Sequence, residues 1–348
     1  MSGSSQPIPP ARPTRVALAL GSGGARGYAH LGAVRELRAR GCEIVTIAGT
    51  SMGAVVGGLV AAGRDDDFAA WATGLRQRDV LRLMDFKLSA PGAVAADRLL
   101  GAIGDLFGDA LIEDLPIPFT AVATDLGSRR EVWFQRGPLL PAVRASIAIP
   151  GFFTPVMING RLLVDGGLLN PVPVDPTAGV PADLTVAVSL LGKRSRPGRV
   201  TPTQESAAPQ RLEEWRGRFR RTVASITGRD GHVVDDLLEA AETPGSVETA
   251  AVVEVAGPAE PVAEPGLPGI DPLPKDLRLT DVTGQAFEAM QALVQRYRQA
   301  AFPADVTVDV PVDACRTLDF HHAAAMIELG QQLTAEALDA HGVAGFTG

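Results

Sequence analysis

Between residues 15 and 191 short apolar runs alternate with stretches of helical period. Residues 16–20 precede a helical pattern at 26–40, and residues 44–48 precede one at 51–62. Further apolar runs follow at 119–124, 132–134 and 184–190. Runs of this length are long enough for strands but too short for helices. Interleaving them with helices predicts an α/β domain with a largely parallel central sheet. The pattern returns near the end of the chain. Residues 281–300 carry Phe287, Met290, Leu293, Val294 and Tyr297 at helical spacing, 306–312 reads as a strand, and 321–340 as a closing helix.

Composition divides what lies between. Residues 193–221 hold nine Lys/Arg against three Glu, whereas 222–274 hold ten Asp/Glu against one Arg. Seven prolines fall between 244 and 274, so 193–280 reads as a variable excursion or lid-like insertion, part helical and part loop. Within it, residues 210–227 place Leu212, Trp215, Phe219, Val223 and Ile226 three or four apart among arginines. Such a basic amphipathic helix suits either peripheral contact with an anionic membrane or a cover over the mouth of a site. Residues 1–14 are rich in Pro and Ser and read as a disordered tail, which leaves 15–348 as one domain.

Charge and cysteines narrow the class. A net charge of −8 without a basic–aromatic stripe argues against nucleic-acid binding. Two distant cysteines, Cys42 and Cys315, make neither a disulfide framework nor a metal spacing, and point to a cytoplasmic location. No stretch reaches the roughly 18 apolar residues of a membrane span.

The chemistry concentrates in three short motifs. Residues 46–53, TIAGTSMG, end an apolar run in Gly-x-Ser-x-Gly and restart as a helix. Gly49 and Gly53 permit a sharp turn, which leaves Ser51 exposed at its tip as a nucleophile. The plainer alternative is that Thr50 or Ser51 caps the helix. Residues 18–32, LALGSGGARGYAHLG, place a glycine loop between a strand and a helix, where backbone N–H groups attract an anion. A dinucleotide loop would need glycine at Arg26 and a Walker loop would need Lys, so neither nucleotide reading holds. The remaining anion is the oxyanion of acyl transfer, with Gly23 and Gly24 as donors. Arg26 either holds the loop by bonding carbonyls or meets a substrate phosphate.

A serine nucleophile needs a base. His30, beside the glycine loop, reads as structural, His321 and His322 as a solvated pair at a helix start, and His232 and His341 as remote. The other candidate is Asp165, at a strand end before Gly166 and Gly167 in RLLVDGGLLNPVPVD. Asp125 and Asn170 read as loop-positioning residues. Histidine and carboxylate bases both stay open on these grounds.

Taken in order, GSGGARG at 21–27, GTSMG at 49–53 and DGG at 165–167 resemble the patatin-like phospholipase family. ASIAIPGFFTPV at 145–156 and NPVPV at 170–174 extend the likeness, which is strongest with the bacterial branch related to neuropathy target esterase. The resemblance implies a three-layer fold and a Ser–Asp dyad of Ser51 and Asp165. It also implies an oxyanion hole over Gly23, Gly24, Ala25 and Arg26, a lipid-ester substrate, and no metal or organic cofactor. Ser22 stands where many relatives have glycine.

Overall fold

The computed structural model describes residues 12–83, 85–86, 94–95, 97–194 and 279–343. The strands are β1 (Arg15–Leu20), β2 (Glu43–Thr50), β3 (Asp85–Phe86), β4 (Val94–Ala95), β5 (Phe119–Asp125), β6 (Arg130–Phe134), β7 (Val156–Ile158), β8 (Arg161–Asp165), β9 (Leu184–Gly192) and β10 (Val306–Pro311). The helices are α1 (Ala29–Ala39), α2 (Met52–Ala61), α3 (Asp65–Thr73), α4 (Gln77–Leu83), α5 (Asp97–Phe107), α6 (Leu139–Ser146), α7 (Leu279–Ala301) and α8 (Ala323–Ala340). The expected alternation is present. The helix expected from residue 26 begins instead as a 3-10 turn, Gly24–Tyr28, which runs into α1.

The sheet is parallel through β10, β9, β1, β2 and β5. Antiparallel strands β6, β7 and β8 complete it as an arm. The register of β5 reveals how the two parts join. Ala121 and Val122 pair with both β2 and β6, so those strands lie on opposite edges of β5. Ala123–Asp125 pair with both β6 and β8, which puts β8 on the edge that β2 has just left. Strands β2 and β8 therefore meet end to end along one edge.

The two faces of the sheet differ. One presents large side chains, Val16, Leu18, Leu20, Val186 and Val188, and packs with α1, α2, α6 and α8 into the main core. Helices α1 and α8 cross tightly there, since any Cβ on Gly32 or Gly330 would strike the other helix's backbone. The opposite face carries Ala19 and Ala187 under Val172 and Val174, and Ser189 bonds Gln295 of α7. Two layers of cover around a largely parallel sheet make the three-layer α/β fold.

Helix α7 forms where periodicity expects it, but it docks by its polar side. Glu288 pairs with Arg26, Gln291 with Ser22, Gln295 with Ser189, and Arg298 with Glu131 and Asp175. Met290, Leu293 and Tyr297 face outward, Tyr297 with 72% of its surface exposed. The groups under the helix are charged or hydroxylic, and only polar partners satisfy them.

Arg12, inside the stretch read as tail, forms a bidentate pair with Asp183 at 2.7 and 2.8 Å. Residues 195–278, which include the amphipathic 210–227 and His232, lie outside the described residues.

Candidate active site

Strand β2 ends at Thr50, and α2 begins at Met52. Ser51 between them holds φ 57°, ψ −123°, a strained geometry for a residue with a side chain, and it is buried at the floor of a cleft where the sequence predicts an exposed tip. Glycine is needed on both sides: a Cβ on Gly49 would strike Gly53, and one on Gly53 would strike the Leu20 carbonyl. Ser51 makes no side-chain cap to α2, so the plainer capping reading does not hold.

The turn is pinned from α6. Ser146 Oγ accepts the Ser51 N–H at 2.9 Å and donates to the Val122 carbonyl at 2.6 Å. A fully buried hydroxyl thus ties the Ser51 backbone to the strand beside it. Sequence reasoning missed Ser146 as a contributor. Its only signal was its place in ASIAIPGFFTPV, where nothing in the spacing points to a turn 95 residues earlier.

Asp165 closes β8. It stands opposite Ala123, one position along β5 from the Val122 that Thr50 faces. The shared edge therefore brings Ser51 and Asp165 together. Asp165 is 1% exposed. Its Oδ1 accepts the Gly167 N–H at 2.7 Å, while Oδ2 closes no full hydrogen bond. Burial pushes the carboxyl up to about 7, against smaller lowering effects from the Ser51 hydroxyl and the Gly167 N–H. The serine is thus close enough to act on the carboxylate, but the pair stops short of formed-bond geometry. Gly166 has no room for a Cβ beneath the Val122 carbonyl, which explains the first glycine of DGG.

The glycine loop approaches from β1. Gly24 has φ +59°, and a Cβ there would strike the Thr317 carbonyl; one on Gly23 would strike Leu190. Among the described residues the Gly23 and Gly24 amides have no hydrogen-bond partner, whereas the Ala25 N–H donates to Thr317 O at 2.9 Å. Arg26 is buried; it donates to the Val312 carbonyl at 2.8 Å and pairs with Glu288 at 2.8 Å. Those contacts match the loop-holding reading of Arg26.

No histidine hydrogen-bonds Ser51 among the described residues. His30 is fully buried with Nε2 2.8 Å from the Gly21 carbonyl oxygen, and burial lowers it to about 4. His321 and His322 lie against each other just before α8, and His341 ends that helix. Asp125 takes N–H bonds from Gly127 and Ser128 and holds the turn after β5. Asn170 joins Glu131 and Asp175, and its carbonyl accepts from Thr50 Oγ1 at 2.9 Å.

A cleft opens over Ser51 and Gly24. Its walls are Met52, Val55, Ile147, Ile149, Phe153, Leu318 and Phe320, apart from the Thr317 that braces the loop. Such a lining suits a hydrocarbon chain. Among the described residues no cluster of three His, Cys, Asp or Glu could hold a metal, and no helix is long and apolar enough to cross a membrane.

The profile of the patatin-like phospholipase family matches residues 18–178. NTE family protein Rv1063c of Mycobacterium tuberculosis is 45% identical over 346 residues, which cover 94% of this chain and 92% of that protein. The patatin-like phospholipase domain-containing protein ZK370.4 of Caenorhabditis elegans is 35% identical over 182 residues, 50% of this chain and 13% of that protein. The solved structure of VipD from Legionella pneumophila superimposes with a TM-score of 0.40 at 14% identity, over 95% of this chain and 67% of that one.

Proposed function

Because the chain belongs to the NTE family of patatin-like phospholipases, and is in general terms a lipid-ester hydrolase, we propose that it cleaves fatty acyl esters of phospholipid or lysophospholipid through Ser51 and Asp165. The observation that carries this is the meeting of the two residues on one edge of β5, with Oδ2 of Asp165 free to receive a proton. Ser51 Oγ attacks the acyl carbonyl while its proton passes to Asp165. The negative oxygen that develops is held by the Gly23 and Gly24 amides. Collapse of this intermediate expels the alcohol, which takes the proton from Asp165. Water then enters, gives a proton to Asp165 and attacks the acyl-serine; the fatty acid leaves as Ser51 Oγ takes that proton back from Asp165.

An ordinary carboxylate, with a reference pKa near 3.9, is too weak a base for this step. Burial corrects that by lifting Asp165 to about 7, where it is both available as base near neutral pH and able to return the proton. The Ala25 amide is engaged by Thr317 and so braces the loop, while the Arg26 guanidinium also braces it through Val312 and Glu288. The test is a fluorophosphonate probe on the full chain. Labelling that is lost in Ser51→Ala, together with fatty acid release from lysophosphatidylcholine, supports the reading. A protein that takes no label and releases no acid from any ester is a silent binder, and the proposal is then wrong.

A further inference from the structure

The antiparallel arm ends in two neighbouring turns beyond the register of Ser51. One connects β5 to β6; the other is the Asn159–Gly160 turn of the β7–β8 hairpin, with positive φ at both residues. The Leu126 N–H donates to the Leu162 carbonyl at 3.0 Å, which fastens the turns side by side. Leu126, Met157 and Leu162 project there into solvent, Met157 with 63% of its surface exposed. Met157 and Leu162 are cross-strand partners and share one face of the hairpin.

Exposed Arg129, Arg130 and Arg161 lie at the same end of the arm, Arg130 and Arg161 on the face opposite Met157 and Leu162. Neither Arg129 nor Arg130 has an ion pair among the described residues. Of the carboxylates nearby, Glu131 is paired with Arg298, and Asp125, held by Gly127 and Ser128, also faces the charge of Arg161. On a chain of net charge −8, Arg129 and Arg130 are thus two uncompensated positive charges beside an apolar tip. The chain that leaves the cleft wall at Phe153 enters β7 three residues later. From Val122, level with the serine, to Leu126 is about 13 Å of extended chain.

We propose that this tip is the docking surface for a bilayer containing anionic phospholipid. The apolar side chains enter the acyl boundary, and Arg129 and Arg130 meet headgroup phosphates. The inference rests on the lipid-ester reading for its purpose but not for its test. The full chain is sedimented with vesicles of phosphatidylcholine alone and of phosphatidylcholine mixed with phosphatidylglycerol. Wild type is expected to bind the mixed vesicles more tightly. Arg129→Gln with Arg130→Gln should weaken that binding by roughly fivefold per arginine, about twenty-five-fold for the pair. Met157→Ser with Leu162→Ser should weaken binding to both vesicle types.

Turnover of a soluble p-nitrophenyl ester serves as the control and should be unchanged in all variants, while release of acid from vesicle lipid falls. Equal binding of wild type and the arginine variant to mixed vesicles overturns the proposal. So does a wild type that ignores vesicles but forms a dimer which the tip variants dissolve, because the surface then belongs to a second copy. If wild type turns over no ester, the hydrolase reading fails, and vesicle sedimentation still decides the docking surface.

Discussion

The parallel half of the sheet and its antiparallel arm hold the two halves of the site by different means. In the parallel half, Ser51 is fixed by strain: a left-handed backbone between two glycines, pinned by Ser146 to the next strand. In the arm, Asp165 is fixed by ordinary pairing opposite Ala123 and is conditioned by burial instead. In the proposed mechanism the nucleophile is turned into the cleft at the cost of backbone strain, and the base is kept dry at the cost of desolvating its side chain.

The largest expected effects come from removing one partner from each side. Ser51→Ala and Asp165→Asn should each lower kcat/KM by about a thousandfold or more, because members of a catalytic unit fail together. Steady-state hydrolysis of a soluble ester measures this; a folded Asp165→Asn protein with wild-type turnover would remove the arm from the chemistry. Ser146→Ala should reduce kcat by up to about a hundredfold with a small change in KM, since it frees the Ser51 turn without touching substrate.

Stability should separate the two sides where activity does not. The Asp165 carboxyl titrates at about 7 in the fold and at 3.8 in an unfolded chain, so above pH 7 the fold holds a charge that the unfolded chain would solvate. Asp165→Asn removes that penalty and should stabilise the protein by as much as ~4 kcal/mol above pH 7, the gain fading as pH falls toward 4. Urea unfolding at several pH values gives the number; an Asn variant no more stable at pH 8 than wild type would show that burial does not act as argued. For the wild type, kcat/KM should rise with pH and level off above about 7, because only the ionised carboxylate accepts a proton. The smallest effect belongs to α7. Arg298→Gln, which weakens the ties to Glu131 and Asp175, should lower Tm by a few degrees and leave turnover of a soluble ester essentially intact.

The parts legible in the sequence were those where local chemistry and tertiary role coincide. An apolar run ending in Gly49-Thr50-Ser51-Met52-Gly53 can hardly turn otherwise, and Asp165 before two glycines marks its own bend. Ser146 was hidden because its role depends on a neighbour that only folding supplies. The outward side of α7 was hidden for a different reason. Periodicity reports that Met290, Leu293 and Tyr297 share a face but not which side of the helix the protein covers, and here polar groups beneath Gln291 and Gln295 decided it. The glycine loop was legible in part. Gly23 and Gly24 are confined by Leu190 and Thr317, so Gly24→Val should unfold the loop rather than merely obstruct a cradle.

The common edge of β5 also acts as a ruler with coarse divisions. Adjacent residues of a strand point to opposite faces, so Asp165 cannot slip by one position without leaving Ser51's side of the sheet, and a slip of two carries it about 6.6 Å away. Only a bulge of the kind seen at Val16–Ala17 offers a setting between these. Loops around the site can therefore lengthen or change composition over generations with little consequence for the spacing of the pair, whereas a residue inserted into or deleted from β8 must be absorbed by a bulge or moves Asp165 away.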